Sequence, residues 1–403
     1  MKSKITLLVL ILFTGVMTSQ IINIPDAVFK NRLIAEGVDI NNDGEIQESE
    51  ALLITDLNVH PSNTEPKIEN LEGIQYFTNL ITLDCASNLL SSLNVSALTN
   101  LDTLKAFYNQ LESINIDGLN QLTFLWVSNN QLEVLDISTN INLEKLYCSN
   151  NLLNNLDISL LQNLLTLGAS NNNLNEIDLL PLSNLTSIVV SNNNISLIEV
   201  NHLLDLEFLE VADNLLNELI LNNLHNIISI DVSYNNLLEL DCSYTVAEYI
   251  ACSDNPNLTS VNVQNNVISV ADPDLLYYGL GFNNLPSLEF VCIDQGEEYA
   301  LSVSGYDPEN VAVATGPNCT FSINDQNLEI VSIIPNPVSN YFSINTSIEI
   351  AEYTLYGISG KQLIQTSSND LLKNRVINLT NGIYFLVIKT VNKNIQTLKL
   401  IKK

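Results

Sequence analysis

Leucine or isoleucine recurs every 21 residues through the middle of this chain, at Leu80, Leu101, Leu122, Leu143, Leu164, Leu185, Leu206 and Ile227. Three residues after each lies a second apolar column: Leu83, Leu104, Leu125, Leu146, Leu167, Ile188, Leu209 and Ile230. Polar residues flank most of its members, an alternation that predicts one short strand per repeat with successive side chains on opposite faces. A third column is asparagine alone: Asn88, Asn109, Asn130, Asn151, Asn172, Asn193, Asn214 and Asn235, with Asn255 following after a unit of 20. A further apolar pair, such as Leu135 and Ile137 or Leu156 and Ile158, predicts an extended return segment rather than a helix. So short a unit cannot bury its own apolar side, so the repeats should stack and merge their leucines into one core. The strands then form a parallel ladder with rungs about 4.8 Å apart, and nine of them span roughly 40 Å. Each asparagine carries a donor and an acceptor, and should satisfy backbone groups left unpaired where its strand ends.

The unit LEKLYCSNNLLNNLDISLLQN follows L-x-x-L-x-C-x-x-N-x-L-x-x-L-x-I, a pattern that resembles the leucine-rich repeat family over roughly residues 54–293. The resemblance implies an α/β repeat solenoid with a parallel strand face. We assign the array to residues 61–270, a helical N-terminal cap to 20–60 and a C-terminal cap to 271–320, since both ends of a stack need cover.

Inside the first cap, residues 39–50 read DINNDGEIQESE and fit the EF-hand template. Asp39, Asn41 and Asp43 take positions 1, 3 and 5, Gly44 the sharp turn, Glu45 position 7 through its carbonyl, Gln47 position 9 and Glu50 position 12. A hard divalent ion wants six to eight oxygens, so the expected cofactor is one calcium ion. Sensors usually work as paired loops and no second loop follows. The expected role is therefore a bracket holding helices on either side against the first rung; the alternative is an acidic, solvated turn.

The formal charge is −30, from 45 acids against 15 bases. Between Ile68 and Val270, Lys105 and Lys145 face twenty-three carboxylates. Such a surface repels phosphate backbones, which argues against nucleic acid as a partner. The start, MKSKITLLVLILFTGVMTSQ, has the layout of a secretory signal peptide over residues 1–19, and its apolar run is too short for a membrane span. No later segment is long and apolar enough to span a bilayer either, so secretion or surface display is expected. Beyond a connection at 321–328 the repeat stops. Residues 329–403 read as short alternating strands broken by Asn, Gly and Pro, as in a small all-β sandwich. Pro335-Asn336-Pro337-Val338-Ser339, Tyr356-Gly357, Ser359-Gly360, Asn381-Gly382-Ile383-Tyr384 and the lysine-ending C-terminus resemble the type A sorting domain of the type IX secretion system of Bacteroidetes. That resemblance implies export by the type IX machinery as a partner, followed by release or attachment at the cell surface.

Nothing in the chain has catalytic spacing: His60, His202 and His225 stand apart, and neither H-E-x-x-H nor G-x-S-x-G occurs. An enzyme is not expected. Cys85, Cys148 and Cys252 share a column with Ala106 and Val127 and read as inward, small and apolar, as does Cys242 in an isoleucine column. Cys292 and Cys319 flank the last strand-like segment, and an exported protein could join them as a disulfide. Most outward strand positions are Thr, Ser, Ala, Gly or acids, but three repeats carry Lys105 and Phe107, Phe124 and Trp126, and Lys145 and Tyr147. This cluster is a candidate binding site for a protein or glycan. Two alternatives stand beside that one: the cluster is cross-strand packing that only stiffens the array, or the protein is a structural adhesive or surface-layer component without one defined ligand.

Overall fold

The computed structural model describes residues 20–403 apart from 63, 270, 273–276, 306–310, 317–318, 320–331, 335–337, 339–341, 346–349, 358–360 and 391–394. The expected signal peptide and the 321–328 connection lie outside the described residues, as do Pro335 to Pro337, Ser339, Ser359 and Gly360 of the tail motifs. The chain divides into two compact units, Met1–Cys319 and Thr320–Lys403.

In the first unit the apolar columns form an 11-stranded parallel sheet whose strand order follows the chain. One register line runs Leu57, Leu83, Leu104, Leu125, Leu146, Leu167, Ile188, Leu209, Ile230, Ile250 and Leu280. All eleven are buried, and each such side chain contributes about 1.5–3 kcal/mol when withdrawn from water. The ladder continues past Val270, since Leu280–Gly281 pairs with Ile250 and Ala251 inside the stretch assigned to the C-terminal cap. The return segments pair only near the ends. Ser92–Asn94 joins Ser113–Asn115, and later Glu239–Asp241, Ser260–Asn262, Phe290–Ile293 and Ala312–Thr315 form a four-stranded parallel sheet. Between them the return segments are extended and bury Leu135, Ile137, Leu156 and Ile158, without a described ladder. No regular helix fills that side, as the apolar spacing predicts.

At the N-terminal end, helix Ala27–Ala35 is capped by Asp26, whose carboxylate accepts from the backbone N–H of Val28 and Phe29 and also of Glu69 and Asn70. One side chain thus starts the helix and ties it to the first repeat. Phe29 and Leu33 of this helix enter the array core. At the other end Asp294 accepts from Asn265 and Asn266 N–H, and the buried Glu297 accepts from Ser269 and Asp294 N–H.

The second unit has an antiparallel sheet in the order Gln362–Thr366, Ile350–Gly357, Gly382–Thr390, Ile395–Lys402, with a hairpin of Ser332–Ile334 and Ser343–Asn345. Its core includes Leu355, Leu386, Ile388 and Leu400. One element departs from the all-strand expectation. Residues Asn369–Ile377 form a helix, capped by Ser368, whose hydroxyl accepts from Leu371 N–H at 3.3 Å, with Asp370 in the first turn and Arg375 in the last. The strand that follows begins at Gly382. Among the described residues no helix is long and apolar enough to cross a membrane.

Candidate functional site

Strand alternation and register place the six candidate binding residues on one patch of the outward strand face. Lys105, Trp126 and Tyr147 are direct neighbours on successive strands, as are Phe124 and Lys145. Phe107 stacks on Trp126 with ring centroids 4.0 Å apart and planes 24° apart. Tyr147 is 5.8 Å from Trp126 and 5.7 Å from Phe124. Phe107, Phe124, Trp126 and Tyr147 are therefore half-buried against one another. Lys145 is exposed, and Lys105 reaches Asp84 at 3.9 Å. At the edge of the cluster Tyr147 lies over Gly168, where a Cβ would stand 3.0 Å from the ring.

Two further rings join that sequence reasoning missed. His60 meets Phe107 edge-on at 6.2 Å, and the exposed Tyr108 meets it at 5.7 Å. His60 was hidden because 26 residues, not 21, separate the paired Leu57 and Leu83. Once that register is restored, His60 lines up with Ala86 and Phe107, and the small alanine between them leaves the rings room to meet. Tyr108 escaped notice because it sits at φ 52°, a left-handed conformation rare for an aromatic residue.

The asparagine column does what its chemistry allows. The buried Asn151 donates to Val127 O and Cys148 O, both at 3.0 Å, and accepts from Leu132 N–H at 3.0 Å. Asn88, Asn109, Asn130, Asn172, Asn193, Asn214, Asn235 and Asn255 repeat the pattern, each bonding its own turn and the preceding rung. The residue before each is left-handed, including Ser87, Asn129, Asn150 and Asp213.

In the loop at 39–50, Gly44 takes φ 81° and Asn42 φ 61°, the sharp turn the template requires. Asp39 accepts from the N–H of Asp43 and Gly44. Glu50 accepts from Ile40, Asn41 and Gln47 N–H, which closes the loop across its base. Asn41 and Gln47 both point amide groups at Asp43, whose carboxyl is held below its ordinary value, chiefly by Glu45 N–H. The Glu45 carboxylate pairs with Lys30 of the first helix at 2.7 Å. Residues 20–22 run antiparallel beside the end of the loop, through a bridge between Ile21 and Gln47. Among the described residues no three His, Cys, Asp or Glu side chains converge as a metal cluster.

Cys85, Cys148, Cys242 and Cys252 are buried free thiols. Burial pushes all four up, Cys148 to about 12, so none is a ready nucleophile. Cys292 and Cys319 come together: the Cys319 thiol bonds Ala314 O at 3.1 Å and also the Cys292 thiol, which burial, first, and this contact push up.

No curated protein matches this chain. Among solved structures it is similar to the functional domain of InlJ from Listeria monocytogenes, at 20% identity over 96% of this chain and 100% of that one, with a TM-score of 0.46. It is also similar to the leucine-rich repeat protein LIC12759 of Leptospira interrogans, at 17% identity over 61% of this chain and 81% of that one, with a TM-score of 0.44. At such scores the repeat assignment rests on the chain's own columns and strand register. Residues 332–403 match the family described as the secretion system C-terminal sorting domain, so the repeat solenoid before them is exported by type IX secretion and is either released or held at the cell surface.

Proposed function

We propose that the array is a recognition module that binds a protein or glycan through its strand face, at the cluster of Phe107, Phe124, Trp126 and Tyr147 with Lys105 and Lys145. The observation that carries this reading is the concentration of four mutually packed rings and two cations on one patch of a face whose other outward strand residues, Phe208 and Tyr249 apart, are mostly small or acidic. Aromatic faces offer contact area at low entropic cost, which is what an interaction hot spot uses. The ring-on-ring packing supports a second reading, in which the cluster only stiffens the array of a structural surface protein. The Trp126→Ala variant separates the two. For recognition, affinity for the partner recovered from surface extracts falls by about 2 kcal/mol or more. For packing alone, stability falls by about 0.5–1.5 kcal/mol and affinity stays unchanged.

We also infer that the loop at 39–50 holds one calcium ion as a structural bracket. What supports this is the donor set, which is oxygen throughout: Asp39, Asp43 and Glu50 carboxylates, Asn41 and Gln47 amides, and the Glu45 carbonyl, left over because Lys30 takes its carboxylate. Calcium would replace the amide contacts that Asn41 and Gln47 now make with Asp43. It would lock the joint between the first helix and the array.

A further inference from the structure

We infer that the ligand of the strand face is an extended, basic polypeptide lying across the rungs, with a bulky apolar side chain on the ring cluster and a cationic group between Glu210 and Asp231. This rests on the recognition reading above and adds the chemistry of what is recognised.

The face has two unlike ends. One outward column, fixed by the strand register, reads Asp84, Lys105, Trp126, Tyr147, Gly168, Val189, Glu210, Asp231 and Ala251. In this column the rings stop at Tyr147; in the neighbouring outward column Phe208, two residues before Glu210 on the same strand, and Tyr249 stand apart, with Ser229 between them. Four rungs beyond Trp126, Glu210 and Asp231 stand directly opposite each other on neighbouring strands. Like charges so placed repel. Burial, and then Asp231, hold the Glu210 carboxyl above its ordinary value. Asp254, Asp213 and Asp231 all act on the phenol of Tyr234 beside them, Asp254 most strongly, and raise it. None of the ion pairs Lys30–Glu45, Arg32–Glu65 and Lys105–Asp84 involves this end. Lys105 and Lys145, the two lysines between Ile68 and Val270, lie at the aromatic end. A ligand that brings a cation to Glu210 and Asp231 relieves a repulsion that the fold leaves standing.

The ground between the two ends suits a main chain. Gly168, Val189, Ser170, Ser191 and Ala212 are small, so a backbone can approach closely. The Ser170 side chain on this track is nine-tenths buried, and its hydroxyl has no partner. Four rungs at about 4.8 Å make roughly 19 Å, which an extended chain at about 3.3 Å per residue crosses in about six residues. A neutral saccharide could stack on the rings but would leave the carboxylate pair uncompensated.

The test pans random dodecapeptides displayed on phage against the mature full chain. The expected result is enrichment of peptides with an aromatic or large aliphatic residue and a Lys or Arg about six positions apart. For a synthetic copy of an enriched peptide, the Glu210→Gln/Asp231→Asn double variant should weaken binding about tenfold or more, as should Trp126→Ala. Enriched peptides that need Trp126 but no basic residue overturn this inference and leave the recognition reading intact. No enriched peptide, with soluble surface polysaccharide binding in a Trp126-dependent way, overturns it in favour of a glycan. Peptides or polysaccharides that bind regardless of Trp126 remove both readings.

Discussion

Replacing Asn151 with alanine tests the ladder at its centre, and the structure says how much should be lost. The side chain serves three backbone groups at 3.0 Å, with a longer contact to Ser149 O at 3.4 Å, yet they are not equally dependent on it. Val127 O also accepts from Asn130 at 2.9 Å, and Cys148 O also accepts from Asn172 at 3.1 Å. Only Leu132 N–H has Asn151 as its sole described partner. One buried N–H without a partner costs about 1–3 kcal/mol, so the single variant should lose that much and not three times as much. Asn130→Ala should behave alike, since it strands Leu111 N–H. Combined, the two variants also strip Val127 O of both its donors. The double loss should then exceed the sum of the singles by about 0.5–3 kcal/mol, the range for residues sharing a network. Asn130→Ala with Asn172→Ala shares no carbonyl and should be additive within about 0.5 kcal/mol. Trp126 is the only tryptophan of the chain, so urea unfolding followed by its fluorescence reports on the array. Equal coupling for the adjacent and the separated pair would refute the shared-carbonyl account.

Asp26 should give the first cap a characteristic acid sensitivity. Burial alone would raise its carboxyl, but N–H donors from Phe29, Glu69, Asn70 and Val28 outweigh that and hold it below the ordinary 3.8. A lowered folded pKa contributes stability above the unfolded value and loses it as pH falls through the folded one. The wild type should therefore exceed Asp26→Asn in urea midpoint at neutral pH and converge with it below about pH 3.8, whereas parallel pH profiles would contradict this. Calcium at 100 times its dissociation constant should stabilise the protein by about 2.7 kcal/mol by linkage, with strand-face affinity unchanged. Calorimetry showing no uptake at millimolar calcium would remove the site. Protein recovered from an oxidising medium should carry a Cys292–Cys319 disulfide worth about 3 kcal/mol, seen as a mass two hydrogens lighter and a melting point that Cys319→Ser lowers. Two titratable thiols at these positions would count against it.

The columns were legible because every rung repeats the same contact. Nothing but a stack explains leucines and asparagines at one spacing for eight units, and each Asn finds the bonds its two functional groups allow. Features that break the period were not legible. His60 lies behind an irregular interval, and the left-handed position before each Asn is filled by Ser, Tyr, Asn or Asp, a mixture with no column of its own. Ring packing depends on side-chain torsions, so Trp126, Tyr147 and Lys105 could be placed together without revealing that Phe107 would stack on the indole. In the loop, the template gave the ligating positions but not the competition of backbone donors for Glu50. The helix at 369–377 was not legible because it is short and its apolar residues fall in two adjacent pairs, Leu371-Leu372 and Val376-Ile377, too few to set a 3.6-residue period.

The sharing of each turn carbonyl by two successive asparagines makes the array a ruler with indivisible graduations. A rung can be gained or lost only whole, because a partial insertion on the strand side would part an asparagine from the carbonyl it shares. Irregular lengths occur where they leave this side in phase: 26 residues before Leu83 and a unit of 20 before Asn255. Duplicating one 21-residue unit between Gly168 and Glu210 would move the two ends of the face apart by about 4.8 Å, roughly one and a half residues of an extended chain, without disturbing either end. Descendants of such a gene could thus change the length of what they measure while keeping the chemistry at both marks.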